Sequence, residues 1–307
     1  MVKNILFYTI TDFEIRCGGI VVQYEICKYI LNLGINIKIQ SPNNIHNHIF
    51  NNFYNNDFPI DDNTVVIYGE TIPGNPLNAK YVIRWILAPL GICCPSDIYK
   101  TWNEPDLVYY YNLEDKFKIY PDRVGVIYKS LSLPYINPYA KNYNFKNRHG
   151  FCHTFRKQHM HKNINYVHHK SSFEITSGHT PKEYILFFNK YKFFLCYDPC
   201  SFLSIIAALC GCISIVYRVK GQSKQEWLNK YAIVSEYMKQ NKLNNLYGLA
   251  YGISDINYAV ETLHLVKDQW NDIINFCKTK TVIPLINDIE NINDMQNNVK
   301  NNYHLPV

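Results

Sequence analysis

The sequence predicts an α/β protein of two domains, each built on a parallel sheet, with a cleft between them. Three observations carry that expectation. Strand-like apolar runs alternate with helically spaced apolar residues through most of the 307 residues. A Pro-, Asn- and Tyr-rich stretch without periodicity, 133–148, interrupts the series near its middle, and a fresh strand-like run begins at Gly150. The length suits two domains of about 150 residues each. The expected boundaries are 1–140 for an N-terminal Rossmann-like domain, 141–285 for a C-terminal one, and 286–307 for an Asn- and Asp-rich tail, helical or disordered.

In order, residues 3–10 read as a strand, and 19–33 as a helix with Ile20, Gln23, Tyr24, Cys27, Ile30 and Leu31 on one face. Gly34 ends that helix, and a second strand covers 36–40. Further strands or strand–helix pieces fall at 64–68, 80–86, 106–111 and 124–127. The second series runs through strands at 150–155 and 173–176, a helix at 181–190, a strand at 193–197, and helices at 223–230 and 254–277. Residues 199–217 carry no charged side chain, a length that reaches the membrane-span threshold of about 18. Gly211 and the β-rich end (Ile213, Ile215, Val216, Tyr217) divide that run into a short helix and a buried strand instead.

A hydrophobic content of 47% against 18% charged is that of a folded, well-buried chain. The net charge of +6 is mild, and Lys and Arg look scattered, which argues against nucleic acid as a partner; weak peripheral contact with an anionic membrane stays compatible. Ten cysteines in mostly apolar segments, with no paired CxxC, read as reduced thiols and a cytoplasmic protein. The N-terminal apolar run is too short for a signal peptide. The surplus of Asn, Ile, Lys and Tyr reads as the codon bias of a low-GC bacterial or viral genome.

Several residues are placed to do chemistry. Gly18 and Gly19 join the first strand to the first helix, where a ligand can approach free backbone N–H groups; a tight turn is the alternative. Gln40, not an acid, ends the second strand, which disfavours a dinucleotide oxidoreductase. Glu70 and Asn75 lie in a Glu-Thr-Ile-Pro-Gly-Asn-Pro-Leu loop after a buried strand; Glu70 is either a contact or general base for an acceptor hydroxyl, or a solvated loop acid. Arg156 and Lys157 follow a strand and offer a forked and a point-charge contact to phosphate, or solvation only. His159 and His161 have chelating spacing without a third ligand, so no metal is expected. Asp198 opens the loop before the apolar helix, as a ligand-facing acid or a helix cap, with Ser201 and Ser204 close to the helix start.

The segment Tyr197-Asp198 through Cys212 resembles the donor-sugar motif of GT-B glycosyltransferases, and Gly18-Gly19, the Gly-Asn-Pro-Leu loop and Arg156-Lys157 are similar to further pieces of that architecture. The resemblance implies two Rossmann-like domains about a central cleft and metal-independent transfer of a hexose from a nucleotide sugar, a UDP-sugar first, to a glycan, lipid-linked or protein-linked acceptor. It implies catalytic roles for Asp198 and Glu70, and donor contacts from Arg156, Lys157, His168, Tyr197, Ser201, Phe202 and Ser204. The second acid of the retaining families' Glu-x(7)-Glu falls on Ile206, so the carboxylate that binds ribose there is missing. A binding protein without turnover and a sugar-nucleotide epimerase are the alternatives on the same fold.

Overall fold

The computed structural model describes residues 4–10, 13–14, 17–41, 58–103, 106–112, 128–155, 167–199, 201–230 and 232–303. Contacts divide the chain into two units, Met1–Tyr135 with Asn275–Val307, and Ile136–Ile274. The first boundary lies five residues before the expected one, and the last segment belongs with the first unit.

The first unit holds β1 (Asn4–Tyr8), α1 (Gly18–Asn32), β2 (Ile37–Gln40), β3 (Thr64–Gly69), β4 (Tyr81–Ile86), β5 (Leu107–Tyr110) and β6 (Tyr128–Ser130). The order is β2-β1-β3-β4-β5-β6, with every pair parallel. The expected strand at 124–127 lies outside the described residues. Strands β3 and β4 are buried along their whole length, which their near-continuous apolar sequence requires in a parallel sheet.

One residue of β4 breaks the apolar rule. Arg84 is fully buried, its Nε donates to Asp106 at 2.8 Å, and its guanidinium lies over the rings of Tyr68 and Trp102 at 4.8 and 5.0 Å. It also donates to the carbonyls of Ile72 (3.3 Å) and Gly74. A buried guanidinium is tolerated only when its charge and donors are met, and here a carboxylate, two carbonyls and two aromatic faces meet them.

The second unit holds β7 (His149–Thr154), β8 (Phe173–Glu174), α2 (Pro181–Lys190), β9 (Tyr191–Cys196), α3 (Leu203–Leu209), β10 (Ile213–Val216), α4 (Lys224–Asn229), α5 (Ala232–Gln240), β11 (Leu249–Tyr251) and α6 (Ile256–Thr262). Its strands run β11-β10-β9-β7-β8, again all parallel. Reciprocal capping boxes start α2 (Thr180 with Glu183) and α4 (Ser223 with Glu226). Gly211 turns α3 into β10 at φ +81, and a Cβ there would come within 2.7 Å of the Asn142 side chain. The motif at 197–217 therefore folds as the expected loop, helix, glycine turn and strand, and no described helix is long and apolar enough to cross a membrane.

The helix expected at 254–277 is broken. A short 3₁₀ turn at Ile253–Asp255 leads into α6, and a second at Leu263–Leu265 separates α6 from α7 (Val266–Cys277). Beyond a π turn, α8 (Ile283–Glu290) and α9 (Ile292–Tyr303) make the C-terminal segment helical. Asp288 of α8 accepts from Lys129 Nζ at 2.6 and 2.7 Å and from the Tyr109 hydroxyl, and Thr281 Oγ1 donates to Ser132 O at 2.9 Å. These bonds to β5, β6 and the residues after β6 are why a polar, weakly hydrophobic segment is anchored on the first unit.

Asp106→Ala strands a buried charge and is expected to destabilise the chain by about 3–5 kcal/mol. Urea denaturation, with Asp62→Ala at an exposed ion pair as the near-neutral control, checks it.

Candidate active site

Ligands of open parallel sheets gather at the carboxyl ends of the strands, at the point where strand order reverses. In the first unit that point lies between β1 and β3. Glu70 follows β3 directly and is only 5% exposed, so the solvated-loop alternative does not hold. Its Oε2 accepts the Leu87 N–H at 3.0 Å, just beyond the end of β4. Burial raises the Glu70 pKa, and backbone N–H groups of Leu87, Glu70 and Ala88 pull partly against that rise.

Gly18 and Gly19 form the first turn of α1. A Cβ on Gly19 would lie 3.4 Å from Leu87 Cδ1, and one on Gly69 would lie 3.6 Å from Gln23 Nε2. The start of α1, the end of β3 and the residue after β4 thus converge on Glu70. Cys17 gives α1 no side-chain cap, and the first turn carries no acid, so the helix start keeps its attraction for an anion. Gln23 is buried on the same helix, and its Oε1 has no hydrogen-bond partner among the described residues.

Asn75 is spent on the loop itself. Its Oδ1 accepts from the Tyr68 hydroxyl (2.9 Å) and the Ala79 N–H (3.0 Å), while its Nδ2 donates to Ala79 O (2.8 Å). With Arg84, Trp102 Nε1 on Ile72 O (3.1 Å) and Thr101 Oγ1 accepting from Gly74 N (3.0 Å), it fixes the backbone that carries Glu70.

In the second unit, Tyr197 and Asp198 follow β9, next to the end of β7. Both are almost fully buried. The Tyr197 oxygen accepts from the backbone N–H of Val167 (2.8 Å) and His168 (3.2 Å), and lies 2.9 Å from His168 Nδ1. Two donors fill its lone pairs, which leaves its own proton for Nδ1; in that tautomer Nε2 carries the ring's N–H. Tyr197 and His168, 29 residues apart, are therefore one unit. Phe155 stacks on the Tyr197 ring at 4.8 Å, and Tyr217 packs on it at 5.1 Å.

His153, at the end of β7, carried no assigned role in the sequence. It stacks on His168 with ring centroids 3.8 Å apart and planes 13° from parallel, and its Nδ1 lies 2.9 Å from Ser172 Oγ. Its position at a strand end was visible; the stacking partner, fifteen residues on in the sequence, was not. Burial, then the neighbouring His168, push His153 down to about 4.

Asp198 does not cap α3, which has no side-chain cap. Its carbonyl accepts from Ser201 N at 3.1 Å and from the Cys196 thiol at 3.0 Å. Burial first, then the Asp198 charge, push the Cys196 thiol up to about 12, with hydroxyls of Ser204 and Ser201 opposing. Ser201 Oγ also accepts from Leu203 N at 3.3 Å. Asp198, Ser201 and Ser204 thus surround one buried thiol. Phe202 points elsewhere, edge-on to Trp270 at 5.5 Å. Arg156, Lys157, His159 and His161 lie outside the described residues, and among the described residues no three His, Cys, Asp or Glu side chains are grouped to hold a metal.

No family model and no curated protein matches the chain in sequence. Solved structures do match it in fold. An alpha-glucosyltransferase in complex with UDP and a 13-mer DNA containing a HMU base aligns over 97% of this chain and 100% of its own, at TM-score 0.50 and 8% identity. The chain has the GT-B fold. Two further GT-B structures align less closely: an alpha-glucosyltransferase (AGT) in complex with UDP (TM-score 0.48, 9% identity, 95% and 99% of the two chains) and the T4 phage beta-glucosyltransferase (0.41, 10%, 99% and 100%). Ile206, at the place of the missing second acid, is a buried α3 residue that packs like its apolar neighbours.

The His153 environment gives a signed pH prediction. The fold accepts the neutral ring, so the unfolded chain binds the extra proton between pH 6.5 and about 4. Stability falls as pH drops through that window, by up to about 3 kcal/mol. His153→Phe keeps an aromatic ring against His168 and is expected to lose less stability than the wild type between pH 7 and 4.5 in urea titrations. Equal losses would show that His153 stays out of the transition.

Proposed function

We propose that the protein is a hexosyltransferase that draws on a nucleotide sugar, a UDP-sugar first, without a metal ion. The observation that carries this reading is the Tyr197–His168 pair set beside Asp198 at the carboxyl end of the second unit's sheet, on a fold whose full-length neighbour was solved with UDP. The second unit holds the donor. Asp198 supports the positive charge that develops at the anomeric carbon, and His168 presents Nε2–H as a neutral donor toward the sugar or diphosphate. Its tautomer is set by Tyr197, so no proton needs to move before the donor binds.

The first unit handles the acceptor. Glu70, with a pKa raised by burial, suits proton removal from a hydroxyl nearer neutrality than an exposed carboxylate would. The uncapped start of α1 offers N–H groups to a phosphate, in place of a cation. The acceptor supplies the hydroxyl; glycan, lipid-linked and protein-linked acceptors fit, and the DNA in the neighbour's structure adds a nucleic-acid hydroxyl to those worth testing.

Asp198→Asn and Glu70→Gln keep size and packing, and each is expected to lower kcat/KM for hexosyl transfer by at least about 100-fold. UDP is expected to raise the melting temperature of both variants as in the wild type. Radiolabelled UDP-glucose and UDP-galactose with acceptor mixtures, metal-free, provide the assay. Near-normal transfer in both variants removes the assigned roles, and UDP binding with no turnover on any acceptor identifies a binding protein.

A further inference from the structure

The sequence's charge is less scattered than its Lys and Arg positions alone suggest. Residues 123–173 hold nine Lys or Arg and no Asp or Glu. The remainder carries 22 basic against 25 acidic residues, so the whole positive balance arises in this one stretch. Most of it belongs to the second unit.

Its described part includes a loop, 139–148, that leads into β7 and is built with care. Asn189, fully buried, accepts from Tyr143 N at 2.8 Å through Oδ1 and donates to Lys141 O at 3.1 Å through Nδ2. Arg148 turns inward, donating to Phe188 O at 2.6 Å and to Asn142 Oδ1 at 2.7 Å. Asn144 takes φ +57, and its N–H meets Asn142 Oδ1 at 2.8 Å, a side-chain turn that suits Asn in the left-handed region. The scaffold is polar and anchored on the buried Asn189, yet what it displays is aromatic. Tyr143 and Phe145 are 40% and 47% exposed, with ring centroids 6.5 Å apart, and Lys141 Nζ lies 5.3 Å from the Tyr143 ring. At the same end of the sheet, Phe151 of β7 is 44% exposed and stacks on Phe193 of β9 at 5.0 Å, with Lys192 Nζ 5.4 Å from the Phe193 ring.

We propose that this end of the second unit, the loop 139–148 with the Phe151–Phe193 face, binds single-stranded nucleic acid. The exposed rings of Tyr143, Phe145 and Phe151, with Lys141 and Lys192 near ring faces and Lys146 exposed on the same loop, give base stacking and backbone neutralisation together. Tyr143 and Phe145 stand on a non-helical loop beside Asn amides, whereas an interfacial membrane anchor calls for the continuous apolar face of an amphipathic helix. The surface lies at the amino ends of β7 and β9, opposite the ends that carry Tyr197 and Asp198, so it holds a polymer rather than the reacting hydroxyl. It does not depend on the hexosyl-transfer reading, and it revises the expectation that nucleic acid is no partner.

The test is fluorescence anisotropy of the full chain with a labelled oligo-dT of about 20 nucleotides, titrated across salt. Binding is expected at about 1–100 µM near 50 mM salt. The Tyr143→Ala/Phe145→Ala double variant should weaken it at least tenfold, as should Phe151→Ala with Phe193 left in place. Lys141→Ala/Lys146→Ala should flatten the log–log salt slope by about 1.4. Lys239→Ala/Lys242→Ala, at the exposed end of α5, should change neither, and circular dichroism and the UDP thermal shift should match the wild type throughout. The proposal is overturned by absence of oligonucleotide binding at about 100 µM protein at that salt, by binding that none of the loop variants alters, by equal binding of a blunt duplex, or by association with phosphatidylserine vesicles in place of the oligonucleotide.

Discussion

The buried Arg84 guanidinium is the interaction on which the first unit's candidate site rests. A charge in the middle of a parallel sheet is costly unless every donor is met, and the partners that meet it belong to the loops that must be held still. Asp106 lies before β5, the Ile72 and Gly74 carbonyls lie in the loop after β3, and Trp102, which donates to the same Ile72 carbonyl, comes from the segment before Asp106. Glu70 begins that loop. Its carboxylate stands in a fixed place because the next four residues are fastened from two sides, and because Asn75 closes the turn beyond them.

The second unit reaches the same end by different means. There the ordering element is a phenol. Tyr197 sits at the end of β9 and gathers the backbone of Val167 and His168 onto its oxygen, while Phe155 and Tyr217 fix its ring. The backbone of Val167 and His168 is positioned by hydrogen bonds to one buried hydroxyl. His153 extends the arrangement by stacking, at the cost of accepting only a neutral ring. Both units therefore mount a carboxylate at a strand end, beside an aromatic residue that neighbouring segments hold in place, which is how a parallel sheet keeps polar chemistry beside an apolar core.

The alternation of strand and helix was legible because parallel strands buried on both faces leave long apolar runs that no amphipathic helix would have. The 197–217 motif was legible for the same reason, with Gly211 marking its turn. Less was visible where elements are short. Strand β11 is three residues and α5 follows α4 after a two-residue break, and neither leaves a period long enough to recognise. The helix expected over 254–277 is interrupted because the chain bends at Leu263 and Thr262, whose hydroxyl turns to the Gly248 N–H at 2.9 Å instead of facing solvent.

By itself the sequence determined the fold class, the parallel sheets, the strand-end positions of Glu70 and Asp198, and the absence of acids from 123–173. These are properties of spacing and composition, which act locally or are simply counted. Tertiary structure decided the rest. It showed Asn75 committed to its own loop, Glu70 buried rather than solvated, His168 bonded to Tyr197 and stacked on His153, and the C-terminal helices fastened to the first unit through Asp288. Each of those depends on a partner distant in sequence, and the free energy of a polar side chain is set by whether such a partner arrives when water leaves.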